Sequence, residues 1–199
     1  MNHYQDINLI PDAEANLGFL WEKVFQQMHL AMTNNKTSSG ISEVGICFPE
    51  YNSQSFPLGS KLRIFAQSAD NLVNIDVDKY LKRLSDYTRF TSIKAVPTNV
   101  SQYALFMRKQ FDTNALRLAK RRAKRKGETI EQALEYYSDF RDRDTRLPYI
   151  NTISLSTDRR NKFRLFIERE FVDSPSSGNF NCYGLTSRDK DKQATVPWF

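Results

Sequence analysis

Apolar positions in the first hundred residues switch between two periods. Residues 3–10 read as a strand closed by the turn Pro11-Asp12. From there the apolar side chains fall at Leu17, Leu20, Trp21, Val24, Phe25, Met28 and Met32, the three-and-four spacing of one helix face. A polar loop from Thr33 to Gly40 ends that helix, and Val44-Gly45-Ile46-Cys47-Phe48 reads as a buried strand. A loop with Pro49, Pro57 and Gly59 leads to a further strand at Lys61–Gln67. Ser68 is a good N-cap for a helix with Leu72, Ile75, Tyr80, Leu81 and Leu84 on one side. A last strand runs from about Thr88 to Val96 and stops at Pro97.

Strand, helix, strand, strand, helix, strand is the ferredoxin-like (RRM-like) βαββαβ order, and it predicts a first domain over 1–98. Many RNA-binding modules use that architecture, but a fold alone does not fix a function. Residues 99–199 are less regular. A strand is expected at Gln102–Met107, a helix from about Asn114 to Lys126 stopped by Gly127, and a second from about Glu128 to Phe140. Strands are expected at Tyr149–Ser156, Lys162–Arg169 and Asn179–Gly184, with a short one near the C-terminus. The predicted class is therefore α+β: a ferredoxin-like domain, then an α+β domain carrying an arginine- and lysine-rich helix.

Composition adds bounds. With 199 residues, 40% hydrophobic and 13% aromatic, the chain is a globular protein of one or two domains. No apolar run approaches the length of a membrane span. The opening Met1–Asp6 has no basic region followed by an apolar core, so no signal peptide is expected. Cys47 and Cys182 stand far apart in no metal-ligand pattern and read as two reduced thiols.

Charge changes the picture more. The net charge is +6, yet Phe106–Gly127 alone holds nine Lys/Arg and one Asp. The remainder, with 20 basic and 22 acidic residues, is slightly negative. Positive charge gathered in a tenth of the chain marks a site for a polyanion. Arg117, Lys120, Arg121, Lys124 and Arg125 follow helical spacing along one face, while Leu116, Ala119 and Ala123 line another. No Glu or Asp within that helix stands four residues from any of the five, so like charges repel unless an external anion is present. Arg108 and Gln110, just before the helix, have side chains suited to purine edges. Phe163, between Lys162 and Arg164, suits base stacking, although it reads equally well as core.

Candidate chemistry is sparse. Acidic residues are scattered and only two histidines exist, so metal-assisted hydrolysis is not expected, and no Gly-x-x-x-x-Gly-Lys phosphate loop is present. RNA offers a route without metal, because its 2′-hydroxyl can attack the adjacent phosphorus and leave a 2′,3′-cyclic phosphate. Such a reaction needs a base near neutrality, in-line alignment and stabilisation of the phosphorane. His29, at the flank of the first helix's apolar stripe, could supply that base. A lone helical histidine is more often structural, and the pattern leaves both readings open.

The chain also resembles, from end to end, the CRISPR-associated repeat endoribonucleases of type I-F systems (the Cas-six family, subtype F, also called Csy-four). The resemblance rests on His3-Tyr4-Gln5-Asp6-Ile7, Val44–Pro49, Phe163-Arg164-Leu165-Phe166-Ile167, Cys182-Tyr183-Gly184-Leu185 and the terminal Val196-Pro197-Trp198-Phe199, in that order. It implies a metal-independent enzyme without cofactor that cuts CRISPR precursor RNA at the 3′ base of a repeat hairpin and keeps the product bound. By the same resemblance His29 would deprotonate the 2′-OH, Ser154 would hold the ribose, and Tyr183 would orient His29 by packing or hydrogen bonding. Arg108 and Gln110 match a linker pair that reads bases, and Phe163 an aromatic that stacks on the terminal base pair. Arg121 and Arg125, with Lys120 and Lys124 beside them, match an arginine-rich helix lying in the groove. Lysine at 120 and 124 departs from the expected arginine, keeping charge but losing the planar fork. The Asp158–Lys162 loop is longer than the family pattern, so counting back from Phe163 favours Ser156 over Ser154. A prokaryotic cytoplasmic location and contacts with other subunits of the type I-F effector complex are implied too. The alternative is a subunit that caps the guide-RNA hairpin and cuts slowly or not at all.

Overall fold

The structure, a computed structural model, describes residues 1–111, 115–138, 146–153 and 162–199, with only the backbone of Arg117. It has two compact units, one of Met1–Lys109 with Pro148–Phe199, the other of Gln110–Leu147.

In the larger unit, strand β1 (His3–Leu9) leads to helix α1 (Leu17–Asn34). Asn16 starts α1 by accepting the Phe19 N–H on its side chain. The helix buries Leu20, Trp21, Val24, Phe25, Met28, Ala31 and Met32, close to the stripe its sequence predicts. Burying each of the larger side chains contributes about 1.5–3 kcal/mol. Trp21 gives up no polar group in doing so, since its indole N–H donates to Gly59 O at 2.8 Å.

Strands β2 (Gly45–Cys47) and β3 (Lys61–Ala66) follow, then two short helices, α2 (Ala69–Ile75) and α3 (Val77–Leu81). Asp76 separates these helices in a left-handed conformation, φ 50°, where the spacing predicted one helix. Its side chain accepts the Lys79 N–H, so one residue ends α2 and caps α3. The last predicted strand forms as two pieces, β4 (Thr88–Phe90) and β5 (Lys94–Ala95), both antiparallel to β1. Strand order β2-β3-β1-β4 is the ferredoxin-like arrangement the element order implied.

The second sheet is antiparallel, in the order β7-β8-β6-β9, from β6 (Gln102–Lys109), β7 (Tyr149–Ile153), β8 (Lys162–Val172) and β9 (Val196–Trp198). Its register pairs Phe106 with Arg169, Arg108 with Ile167 and Thr152 with Phe163. Paired residues share a face, so Ala104, Phe106, Ile150, Leu165, Ile167 and Val196 all turn one way. They join Ile7, Leu20, Phe48 and Ile64 in one core, and α1 packs against β7. The fold class is thus α+β with two antiparallel sheets.

Asn179–Gly184 does not form the strand its sequence suggested. Asn181 and Gly184 close a turn, Gly184 N–H donating to Asn181 O at 2.8 Å, and only isolated bridges at Phe180 remain. Among the described residues no helix is long and apolar enough to cross a membrane.

The smaller unit is a helical hairpin of α4 (Ala115–Lys126) and α5 (Ile130–Tyr136). Gly127 at φ 70° ends α4, and Thr129 with Gln132 forms a reciprocal capping box at the start of α5. Ala119, Ala123 and Ala133 pack with Leu134 and Tyr137 between the helices. Small residues there allow close approach.

Candidate functional site

Phe25 and His29 stand four apart on α1 and therefore lie on one ridge of the helix. The ring of Tyr183 covers both. It stacks on His29 at 4.0 Å between centroids with 6° between planes, and continues parallel to Phe25 at 6.2 Å and 8°. Stacking fixes the plane of the imidazole. Rotation within that plane is fixed by a second contact, from His29 Nδ1 to the Cys182 carbonyl at 2.7 Å.

A carbonyl can only accept, so this bond requires the proton on Nδ1. In the neutral ring Nε2 is then the lone-pair acceptor. The histidine is half-buried and holds one tautomer, with its acceptor nitrogen away from the clamp.

The clamp depends on the turn that carries Cys182 and Tyr183. Asn181 Oδ1 accepts the Tyr183 N–H at 2.8 Å, the local geometry that asparagine favours. Gly184 has φ 70°, and a Cβ there would stand 2.5 Å from Ile46 Cγ2, so this position needs glycine on two grounds. The Ile46 N–H donates to Gly184 O at 3.0 Å, tying the turn to β2. Burial pushes the Tyr183 phenol up, with the positive charge of Arg108 opposing it.

Arg108 reaches this region from β6. Its guanidinium lies over the Phe163 ring at 5.1 Å, on the core-facing side of the second sheet. Sequence reasoning couples Tyr183 to His29 through the family resemblance and names Arg108 and Phe163 apart from each other; the larger unit stacks the first pair and places the Arg108 guanidinium over the Phe163 ring. It missed Asn181, Gly184 and the Cys182 carbonyl. The Asn-x-x-Gly spacing was the available signal for the turn.

In the smaller unit, Lys120, Arg121, Lys124 and Arg125 are exposed along α4, and among the described residues none forms an ion pair. Arg122, off that stripe, does: it pairs with Glu128 and lies over the Tyr136 ring at 3.8 Å. Gln110 is exposed at the start of this unit. The Arg117 side chain lies outside the described residues, as do Ser154 and Ser156.

A ferredoxin-like sheet, a second antiparallel sheet, a histidine held between a ring and a carbonyl, and a helix whose Lys120, Arg121, Lys124 and Arg125 form no ion pair among the described residues define an α+β protein with an exposed cationic stripe, the charge pattern that suits a polyanion. The family model described as CRISPR-associated protein (Cas_Csy4) matches residues 4–199, so the chain belongs to that family. A relative from Escherichia coli (strain UTI89 / UPEC), named CRISPR-associated endonuclease Cas6/Csy4, is 30% identical over 200 residues, covering 100% of both chains. A relative of the same name from Pseudomonas aeruginosa (strain UCBPP-PA14) is 33% identical over 200 residues, again covering 100% of both. A solved RAMP protein described as binding different RNA substrates aligns with TM-score 0.37 and 14% identity, over 93% of this chain and 97% of that one.

Proposed function

We propose that the chain is an endoribonuclease that processes CRISPR precursor RNA at the 3′ base of the repeat hairpin and remains bound to its product. The observation that carries this reading is the clamped His29, with Nδ1 bonded to Cys182 O and Nε2 left as the acceptor. A base in that state can take the proton of a 2′-hydroxyl, and RNA supplies the nucleophile itself. The oxygen then attacks the adjacent phosphorus in line, the 5′-oxygen leaves, and a 2′,3′-cyclic phosphate remains. No metal takes part in this scheme, and retention of the hairpin makes turnover essentially single. The names of the two curated relatives support the endonuclease class.

In this reading residues 1–98 bring the base and 99–199 the RNA-binding elements. Tyr183 is a positioning residue acting through His29, while Ser154 holds the ribose, with Ser156 the competing choice. Arg108 and Gln110 read bases at the foot of the stem, and Phe163 stacks on the last base pair. Arg117, Lys120, Arg121, Lys124 and Arg125 hold phosphates of the stem. The protein acts in the cytoplasm of a prokaryote, alongside other subunits of the effector complex.

Two substitutions separate packing from hydrogen bonding at Tyr183. Tyr183→Phe keeps the stacked ring and is expected to leave single-turnover cleavage of a type I-F repeat hairpin within a factor of about two. Tyr183→Ala removes a stack of roughly 0.5–1.5 kcal/mol and is expected to slow cleavage about two- to tenfold, with hairpin affinity retained. If Phe is as slow as Ala, the hydroxyl has a role that the stack does not explain. The serine assignment is tested the same way: Ser154→Ala slows cutting more than Ser156→Ala, and the reverse ranking moves the role to Ser156.

A further inference from the structure

Seven of the twelve residues of α4 are lysine or arginine, and none is acidic. Like charges at helical spacing destabilise a helix, and free helices of this length are marginal in water even without that repulsion. Its partner α5 is shorter still, with seven residues. The apolar core between the two is Ala119, Ala123 and Ala133, with Leu134 and Tyr137 alongside. Three methyl groups bury little surface, so contacts beyond that core decide how well the hairpin holds its shape.

Arg122 makes such contacts. On the helical wheel it falls beside Ala119 and Ala123, on the flank toward α5 and away from Lys120, Arg121, Lys124 and Arg125. Its Nε lies 2.5 Å from Glu128 Oε1, and Nη2 donates to Oε2 at 3.4 Å. The two side chains are only 16% and 21% exposed, which sets them apart from an ordinary surface pair. The same guanidinium stands 3.8 Å from the Tyr136 ring centroid. Tyr136 meets Tyr137 edge-on at 5.1 Å, and Tyr137 packs on the alanine core.

The sequence positions give these contacts their meaning. Glu128 lies between Gly127, which ends α4, and Thr129, which caps α5, while Tyr136 is the last residue of α5. One guanidinium therefore joins the middle of α4, the turn and the far end of α5. Glu128 stands six positions from Arg122, so the pair is not one a single helix can make and forms only when the hairpin closes.

We infer that Arg122, Glu128 and Tyr136 form a clasp that keeps α4 helical and packed on α5 in the free protein. The cationic stripe then meets RNA already formed instead of folding onto it. Arg122 is a positioning residue for hairpin binding and not an RNA contact. The effect on affinity rests on the RNA-binding reading above; the order of α4 in the free protein does not.

Amide hydrogen exchange of the free full-length protein, set beside hairpin affinity, tests the clasp. Arg122→Ala is expected to speed exchange across α4 and α5 about tenfold or more, while the strands of the larger unit keep wild-type protection. Binding then has to order the hairpin, so affinity for a type I-F repeat stem–loop falls roughly tenfold, yet single-turnover cleavage at saturating protein stays within about twofold. Tyr136→Ala is expected to give the same pattern at smaller size. The decisive variant replaces both charged partners, Arg122→Met with Glu128→Met. It leaves no unpaired buried charge, and slow exchange and wild-type affinity are expected to return. Unchanged exchange in Arg122→Ala overturns the clasp. So does a double variant that exchanges slowly but binds as weakly as Arg122→Ala, since Arg122 would then touch RNA itself. Wild type that binds no repeat hairpin contradicts the RNA-binding reading and leaves the exchange result to decide the clasp alone.

Discussion

His29→Ala is expected to slow cleavage of a repeat hairpin by roughly 10²–10⁴-fold while hairpin affinity stays nearly constant. That range corresponds to about 3–5 kcal/mol of lost transition-state stabilisation. The size follows from how the ring is held. A mobile imidazole on a helix surface would spend much of its time in other rotamers and in the other tautomer. Here the parallel stack with Tyr183 at 4.0 Å and the 2.7 Å contact to Cys182 O leave one plane, one rotation and, for the neutral ring, one tautomer. Little reorganisation is left for the reaction. Affinity is insulated because the contacts that hold the His29 ring, the Tyr183 ring and the Cys182 carbonyl, carry no positive charge. Single-turnover rates with saturating protein, set beside equilibrium binding, separate the two quantities. A parallel loss of binding and cutting would make His29 a structural residue of α1.

The second large effect is electrostatic. If the stripe on α4 engages four or five phosphates, log affinity falls with log salt at a slope of about −3 to −4.5. A fourfold rise in salt then weakens hairpin binding roughly 60- to 500-fold. Lys120, Arg121, Lys124 and Arg125 are exposed, and among the described residues no acid pairs with them. Their charge is therefore available to RNA. Arg122 is the internal contrast: bound to Glu128, it should contribute little to the slope, and Arg122→Ala should leave it unchanged. A flat salt response would take α4 out of the interface. Lysine at 120 and 124 keeps the slope but forgoes bidentate base contacts, so sequence discrimination falls more heavily on arginine side chains.

Much of this was legible in the residues, for physical reasons that differ from place to place. The stripe on α1 is read almost position for position because a core-facing helix must repeat its apolar side chains at the helical period. The ferredoxin-like order is read because each strand lies between turn residues. The helix predicted after Ser68 misses its break because one residue, Asp76, serves as end and beginning at once. Asn179–Gly184 looked like a strand because Phe180, Cys182 and Tyr183 resemble one in composition, whereas Asn181 and Gly184 impose a turn. His29 illustrates the limit most sharply. Its decisive partner is a backbone carbonyl 153 positions away, and every residue has a carbonyl, so no pattern of side chains can announce it. Resemblance to a family drew attention to His29 and Tyr183; the geometry supplies a physical reason for pairing them.

The most direct measurement is cleavage of a labelled type I-F repeat hairpin by wild-type protein in excess EDTA, with the termini of the products identified. Cutting is expected at the 3′ base of the stem at an undiminished rate, leaving a 2′,3′-cyclic phosphate on the hairpin fragment. Cutting that stops in EDTA, or that leaves a 3′-hydroxyl, would contradict the metal-independent scheme.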